Sequence, residues 1–215
     1  MRKEFHGAEW FKKTYGITIS THSGKLSGMQ SLSTSCMDNP RCALYAKCEG
    51  SICEKCYARN YQTFRGTLKN AMMKNGEVLR EKLLDEYPIL NAAYFRIESF
   101  GDVANVTQAR NYIRLAKRNP QTTFGWWTKN PDIVDAAILL EGRPENIVFI
   151  ISSVYQNRRM NPFKRYPWVD KVFTVYTEDY IEEHRVSINC GENQCMGCLQ
   201  CYKRGGCKYI NEKIK

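Results

Sequence analysis

All ten cysteines of this 215-residue chain fall in two short stretches. Cys36, Cys42, Cys48, Cys53 and Cys56 form the first; Cys190, Cys195, Cys198, Cys201 and Cys207 form the second. The 133 residues between Cys56 and Cys190 contain none. Thiols at this density are either a disulfide framework or a set of metal ligands. The opening MRKEFHGAEWFKK has no apolar stretch of the secretory kind, and no run approaches the ~18 apolar residues that span a bilayer. The expected location is therefore cytoplasmic, with no membrane partner. There thiols stay reduced, and a cysteine-rich pattern points to metal rather than disulfides. A chain of this length also buries a core without covalent staples.

The formal net charge of +10 counts the thiols as neutral. Metal-bound cysteines are thiolates. Two sites of four thiolates, each carrying about −2 with its zinc ion or four-iron cluster, would lower the charge to about +6. The chain stays basic, which suits an anionic partner.

Between the cysteine groups the pattern alternates. Ile17–Thr21 is β-branched and reads as a first strand, followed by a Gly/Ser-rich loop into Cys36. Residues 57–87 carry helical spacing through Phe64, Leu68, Met72, Leu79 and Leu83, with Gly76 expected to divide the run in two and Pro88 to end it. Ala93–Glu98, Thr122–Thr128, Ile147–Ser152 and Lys171–Tyr176 read as strands. Thr107–Arg118, Asp132–Leu140 and Glu178–Glu183 read as helices. Strands alternating with helices predict an α/β fold with βαβ units, either a partial (β/α) barrel or an open, mostly parallel sheet. The uninterrupted IVFII of the 147–152 strand suits burial on both faces. Five strands fall short of the eight of a full barrel. The expected organisation is a core over 1–187 that includes the first cysteine group, and a cysteine-rich metal-binding segment over 188–215 packed on it.

In such sheets ligands sit at the carboxyl ends of the strands. Glu98, Asp102 and Lys129 occupy those ends and are the candidate catalytic residues, as acid/base groups or anion binders. Ser99, Gly101, Trp127 and Ser152 are the candidate cofactor-contacting positions, Trp127 as a ring that could stack on a base. His22, just before the first cysteines, is a further candidate. Arg158, Arg159, Lys164 and Arg165, with Lys203, Arg204 and Lys208, make a candidate basic patch for nucleic acid. A small-molecule or nucleotide substrate is the other partner class.

The spacing Cys195-x2-Cys198-x2-Cys201 resembles the run that wraps a cubane in bacterial ferredoxins, with Cys207 or Cys190 as the fourth ligand. Cys48-x4-Cys53-x2-Cys56, with Tyr57 next to it, resembles the three-cysteine motif of radical S-adenosylmethionine enzymes, with one extra residue in the first gap. That resemblance implies a [4Fe-4S] cluster with one iron open to S-adenosylmethionine. Where that superfamily carries a Gly-Gly-Glu-like stretch, this chain has Ser99-Phe100-Gly101-Asp102. The expectation is two [4Fe-4S] clusters serving a redox or radical-type enzyme. The alternative is a zinc-stapled, basic nucleic-acid-binding module without catalysis.

The Ser/Thr-rich approach to Cys36, C-EK-C-Y-A at 53–58, R-I-E-S-F-G-D-V at 96–103, F-G-W-W-T-K-N at 124–130 and C-M-G-C-L-Q-C-Y at 195–202 together resemble the phage gene product 88 family of cysteine-rich proteins. The resemblance implies a phage or prophage origin, hence the host cytoplasm, and a metal-bearing α/β fold. It implies no particular reaction.

Overall fold

The IVFIIS strand is the centre of the molecule, and all six of its residues are buried. The computed structural model describes residues 6–191 and 194–214. In chain order the elements are α1 (Ala8–Tyr15), β1 (Ser20–Thr21), β2 (Gln30–Leu32), α2 (Pro40–Tyr45), α3 (Tyr57–Thr63), α4 (Gly66–Glu81), β3 (Tyr94–Ile97), α5 (Val106–Arg118), β4 (Thr123–Thr128), α6 (Pro131–Glu141), β5 (Ile147–Ser152), β6 (Lys171–Tyr176), α7 (Glu178–His184), α8 (Cys195–Cys198) and β7 (Tyr209–Lys213). They build one open sheet of seven strands in sequential order, β1 to β7. β1 pairs antiparallel to β2; every other pair is parallel.

Sequential parallel order with crossovers of a single hand puts the connecting helices on one face. Phe95 and Ile97 of β3, Phe124 and Trp126 of β4, and Ile147, Phe149 and Ile151 of β5 share a core with Tyr112 and Ile113 of α5 and Val134 and Ala137 of α6. The alternate residues Val148 and Ile150 turn to the other face, where they pack with Ile210 of β7 and with Trp127, Phe173, Cys190, Cys201 and Cys207. The IVFII run is apolar throughout because it is covered twice, by helices on one side and by the cysteine-rich segment on the other.

Three expectations are corrected. The first strand shrinks from Ile17–Thr21 to Ser20–Thr21, because the buried Asn75 side chain takes the backbone of Thr18: Oδ1 accepts from its N–H (2.7 Å) and Nδ2 donates to its carbonyl (2.9 Å). Gly76 does not divide the 57–87 helical run; it lies inside α4, and the space a Cβ would fill holds the guanidinium of Arg80. The division falls at Phe64–Arg65 instead. The strand count rises from five to seven, through the polar β2 inside the stretch read as loop and through β7, whose YINEK sequence has little apolar signal. Among the described residues no helix is long and apolar enough to cross a membrane.

Candidate metal centres

The chain leaves β2 through Ser33, Thr34, Ser35 and Cys36, all buried. A polar clamp forces that burial. Glu98, just past β3 and at a positive φ of 55°, accepts hydrogen bonds from Thr34 N–H (2.9 Å), Thr34 Oγ1 (2.7 Å), Gln108 Nε2 (2.8 Å) and Tyr112 OH (2.5 Å). Burial pushes its pKa up against the pull of these donors. Gly101 closes the same corner: a Cβ there would lie 2.4 Å from the Thr34 carbonyl oxygen, so only glycine lets the two loops touch. Gln62 of α3 then accepts from Ser35 Oγ (2.7 Å) and donates to Cys36 Sγ (3.4 Å).

Asp102 does for β4 what Glu98 does for β2. Its carboxylate accepts from Thr128 Oγ1 (2.7 Å) and Lys129 N–H (2.8 Å), and its carbonyl accepts from Asn39 Nδ2 (2.6 Å). Asn39 also caps α2, taking the N–H groups of Arg41 and Cys42, with Pro40 in the first turn. Cys42 is thereby fixed against the ends of β3 and β4. The loop that carries Cys53 is tied to the end of β5 by Ile52 N–H to the Val154 carbonyl (2.9 Å) and the Ser51–Tyr155 bridge.

These ties gather four thiols at the carboxyl rim. The interaction of Cys36 with Cys56 pulls Cys56 down to about 6 and, with burial, pushes Cys36 up. Burial raises Cys42, with Asp102 adding to it, and burial also raises Cys53. The Lys129 side chain lies among them: burial would lower its pKa, but Cys53, Asp102, Cys42 and Cys56 outweigh that and hold it up. Cys48 Sγ reaches the Leu44 carbonyl (3.5 Å). Cys36, Cys42, Cys53 and Cys56 are thus four thiols that act on one another or on Lys129 at the rim.

A second set lies on the sheet face away from the helices. Cys190, Cys195, Cys198 and Cys201 line a cavity of about 440 Å³. Lys25 Nζ donates to Cys190 Sγ (3.3 Å) and to Glu212 (2.5 Å). The Arg96 guanidinium lies 3.2 Å over the Trp127 ring and acts on both Cys195 and Cys201. Burial raises Cys190 and Cys195, and pushes Cys201 up to about 12. Cys207 instead accepts from Gln200, while the buried Lys171 amine holds the Cys207 and Gly205 carbonyls (2.8 and 3.2 Å). Cys190 lines the cavity, and Cys207 packs with Cys190 and Cys201 against Val148, Ile150 and Ile210.

The structure redistributes the other candidates. Glu98 and Asp102 are anchors with their carboxylates already engaged, whereas Lys129 faces the thiols. Ser99 is consumed by bonds to Ser33 Oγ (2.7 Å) and, through its carbonyl, to Tyr57 OH (2.7 Å). Trp127 and Ser152 lie on the face that carries the second set, and Trp127 sits under Arg96 and against Tyr202 rather than at the rim. His22 Nε2 meets Ser31 Oγ (2.6 Å); burial and then Arg96 lower its pKa. In the basic stretch Arg165 pairs with Asp132 and Arg204 with Glu145, so part of that charge is spent internally. Lys25, Arg96 and Gln62 escaped sequence reading; each lies far along the chain from the cysteines it serves or carries no motif.

All ten cysteines are free thiols. Among the described residues no three His, Cys, Asp or Glu side chains converge tightly enough to hold a single metal ion. Tetrahedral zinc needs four sulfurs each about 2.3 Å from one centre. A four-iron cluster takes one thiolate per iron and spreads its ligands more widely. All-thiol donor sets suit either group.

The model of a family described as Gene product 88 matches residues 10–213. No curated protein and no solved structure matches the chain.

Proposed function

The chain belongs to the gene product 88 family over nearly its whole length, and from its own thiols we propose that two sets each hold a [4Fe-4S] cluster and that the protein is a redox or radical-type enzyme. Cys36, Cys42, Cys53 and Cys56 would hold the working cluster at the rim. Cys190, Cys195, Cys198 and Cys201 would hold the other, structural or electron-feeding. The observation that carries this reading is the gathering of eight of the ten thiols into two fourfold sets, each faced by cations: Lys129 at the rim, Lys25 and Arg96 on the sheet face.

A [4Fe-4S] cluster supplies one-electron chemistry. The residues around it do the rest. Lys129 offsets thiolate charge at the rim and offers an N–H donor to an anionic substrate. The Glu98 and Asp102 clamps hold the loops that present Cys36 and Cys42. The S-adenosylmethionine reading has the least support, because Glu98, Ser99 and Gly101, where a cosubstrate would need open polar groups, are filled by the protein's own contacts.

Electron paramagnetic resonance on anaerobically purified, dithionite-reduced protein tests the reading. Two signals are expected, one lost in Cys53→Ser and the other in Cys198→Ser. A colourless, zinc-bearing protein with neither signal overturns it and favours the zinc-stapled module.

A further inference from the structure

The helix that follows Cys56 carries an aromatic surface that the cluster reading leaves unexplained. Tyr57, Tyr61 and Phe64 follow one another at i, i+4 and i+7 along one stripe of α3 and its C-terminal cap. Their exposures are 67%, 38% and 86%. Phe100 ties the stripe to the rim, with ring centroids 6.2 Å from Tyr57, 5.5 Å from Tyr61 and 6.2 Å from His22. Tyr57 is held in place by its hydroxyl, which donates to the Ser99 carbonyl, while its ring stays open. The Arg65 guanidinium sits 4.2 Å over the Tyr61 ring. Lys55, Arg59 and Arg65 are exposed, and among the described residues none has a carboxylate within ion-pair distance; Glu54 is the acidic residue closest in sequence.

Exposed large rings are costly to leave in water, and a row of them interleaved with unpaired cations matches a chain of planar bases joined by phosphates. A duplex hides its base faces within the stack, so these rings have nothing to stack on there. We infer that this surface binds single-stranded nucleic acid, with bases on Tyr57, Tyr61 and Phe64 and phosphates on Lys55, Arg59 and Arg65. Cys56 is the N-cap of the same helix, so the strand would be delivered beside the rim thiols. That last point rests on the cluster proposal; the binding surface does not.

The test is a fluorescence anisotropy titration of the full chain with a fluorescein-labelled oligothymidylate of about twenty nucleotides, long enough to exceed one typical site. Its duplex with oligoadenylate is the control. Single-strand binding is expected to exceed duplex binding and to weaken steeply with salt. Phe64→Ala and Tyr61→Ala should each weaken it on the order of tenfold. Arg59→Gln with Arg65→Gln should lower the salt slope by about 1.4. All four positions are exposed, and circular dichroism checks that each variant keeps its fold. Absence of binding at low salt, equal affinity for duplex, or unchanged affinity in every variant overturns the inference. Iron and sulfide measured on the same preparation separate the two proposals. Oligonucleotide binding without iron removes the cluster and keeps the surface; iron without oligonucleotide binding does the reverse.

Discussion

Glu98 is the residue on which the rim depends most, and its role is structural. All four of its partners donate, so a neutral amide would put an N–H where only an acceptor fits. Glu98→Gln should cost about 2–4 kcal/mol in denaturant unfolding and loosen the loop that carries Cys36. The cysteines divide just as sharply. Cys48→Ser and Cys207→Ser should keep the full iron content, whereas serine at Cys36, Cys42, Cys190 or Cys201 should lose about half of it, read by iron assay on anaerobic protein. The ten candidates were legible from residue type and density alone. How they sit relative to one another was not, because that depends on the path of the chain: Asn39 caps the helix that carries Cys42, Gln62 donates to Cys36, and Gln200 donates to Cys207. Glu98 and Asp102 were legible as strand-end carboxylates, but a sequence does not say that Tyr112 and Gln108 will occupy one and Thr128 the other.

At the scale of elements, α5 and α6 are joined by one carboxylate. Glu141, the last residue of α6, pairs with Arg110 (2.7 Å) and Arg114 (2.9 Å) of α5. Burial would raise its pKa, but the two guanidinium groups outweigh that and hold it below the usual value of 4.5. The unfolded chain therefore takes up this proton first as pH falls. The stabilisation is full above the ordinary carboxylate pKa and is lost as pH drops through the depressed one. Glu141→Gln should be about 1 kcal/mol less stable at neutral pH. Urea midpoints measured against pH should show a shallower acid loss in the variant, and parallel curves would contradict the ion-pair account. Strands β3 to β6 were legible because apolar alternation or a doubly buried apolar run marks them. β1 was overestimated because Asn75 competes for the Thr18 backbone, and β7 was missed because Asn211, Glu212 and Lys213 carry polar side chains that serve Ser187, Lys25 and Glu178.

For the whole molecule, sequential strand order puts the helical layer on one face and leaves the other to a cysteine-rich layer that a sheet of this size needs as cover. That division was only half legible. The strand–helix alternation shows a parallel sheet, but the side on which residues 188–214 dock follows from tertiary pairing of β7 with β6, which no local pattern announces. If the cysteine layer is organised by clusters, their loss should strip cover from Val148, Ile150 and Ile210, and treatment with a chelator under oxidant should lower the unfolding midpoint rather than merely bleach the protein. The most direct measurement is iron and acid-labile sulfide per chain in anaerobically purified protein. Two four-iron clusters predict about eight of each. One or two zinc ions with neither iron nor sulfide would contradict the central claim.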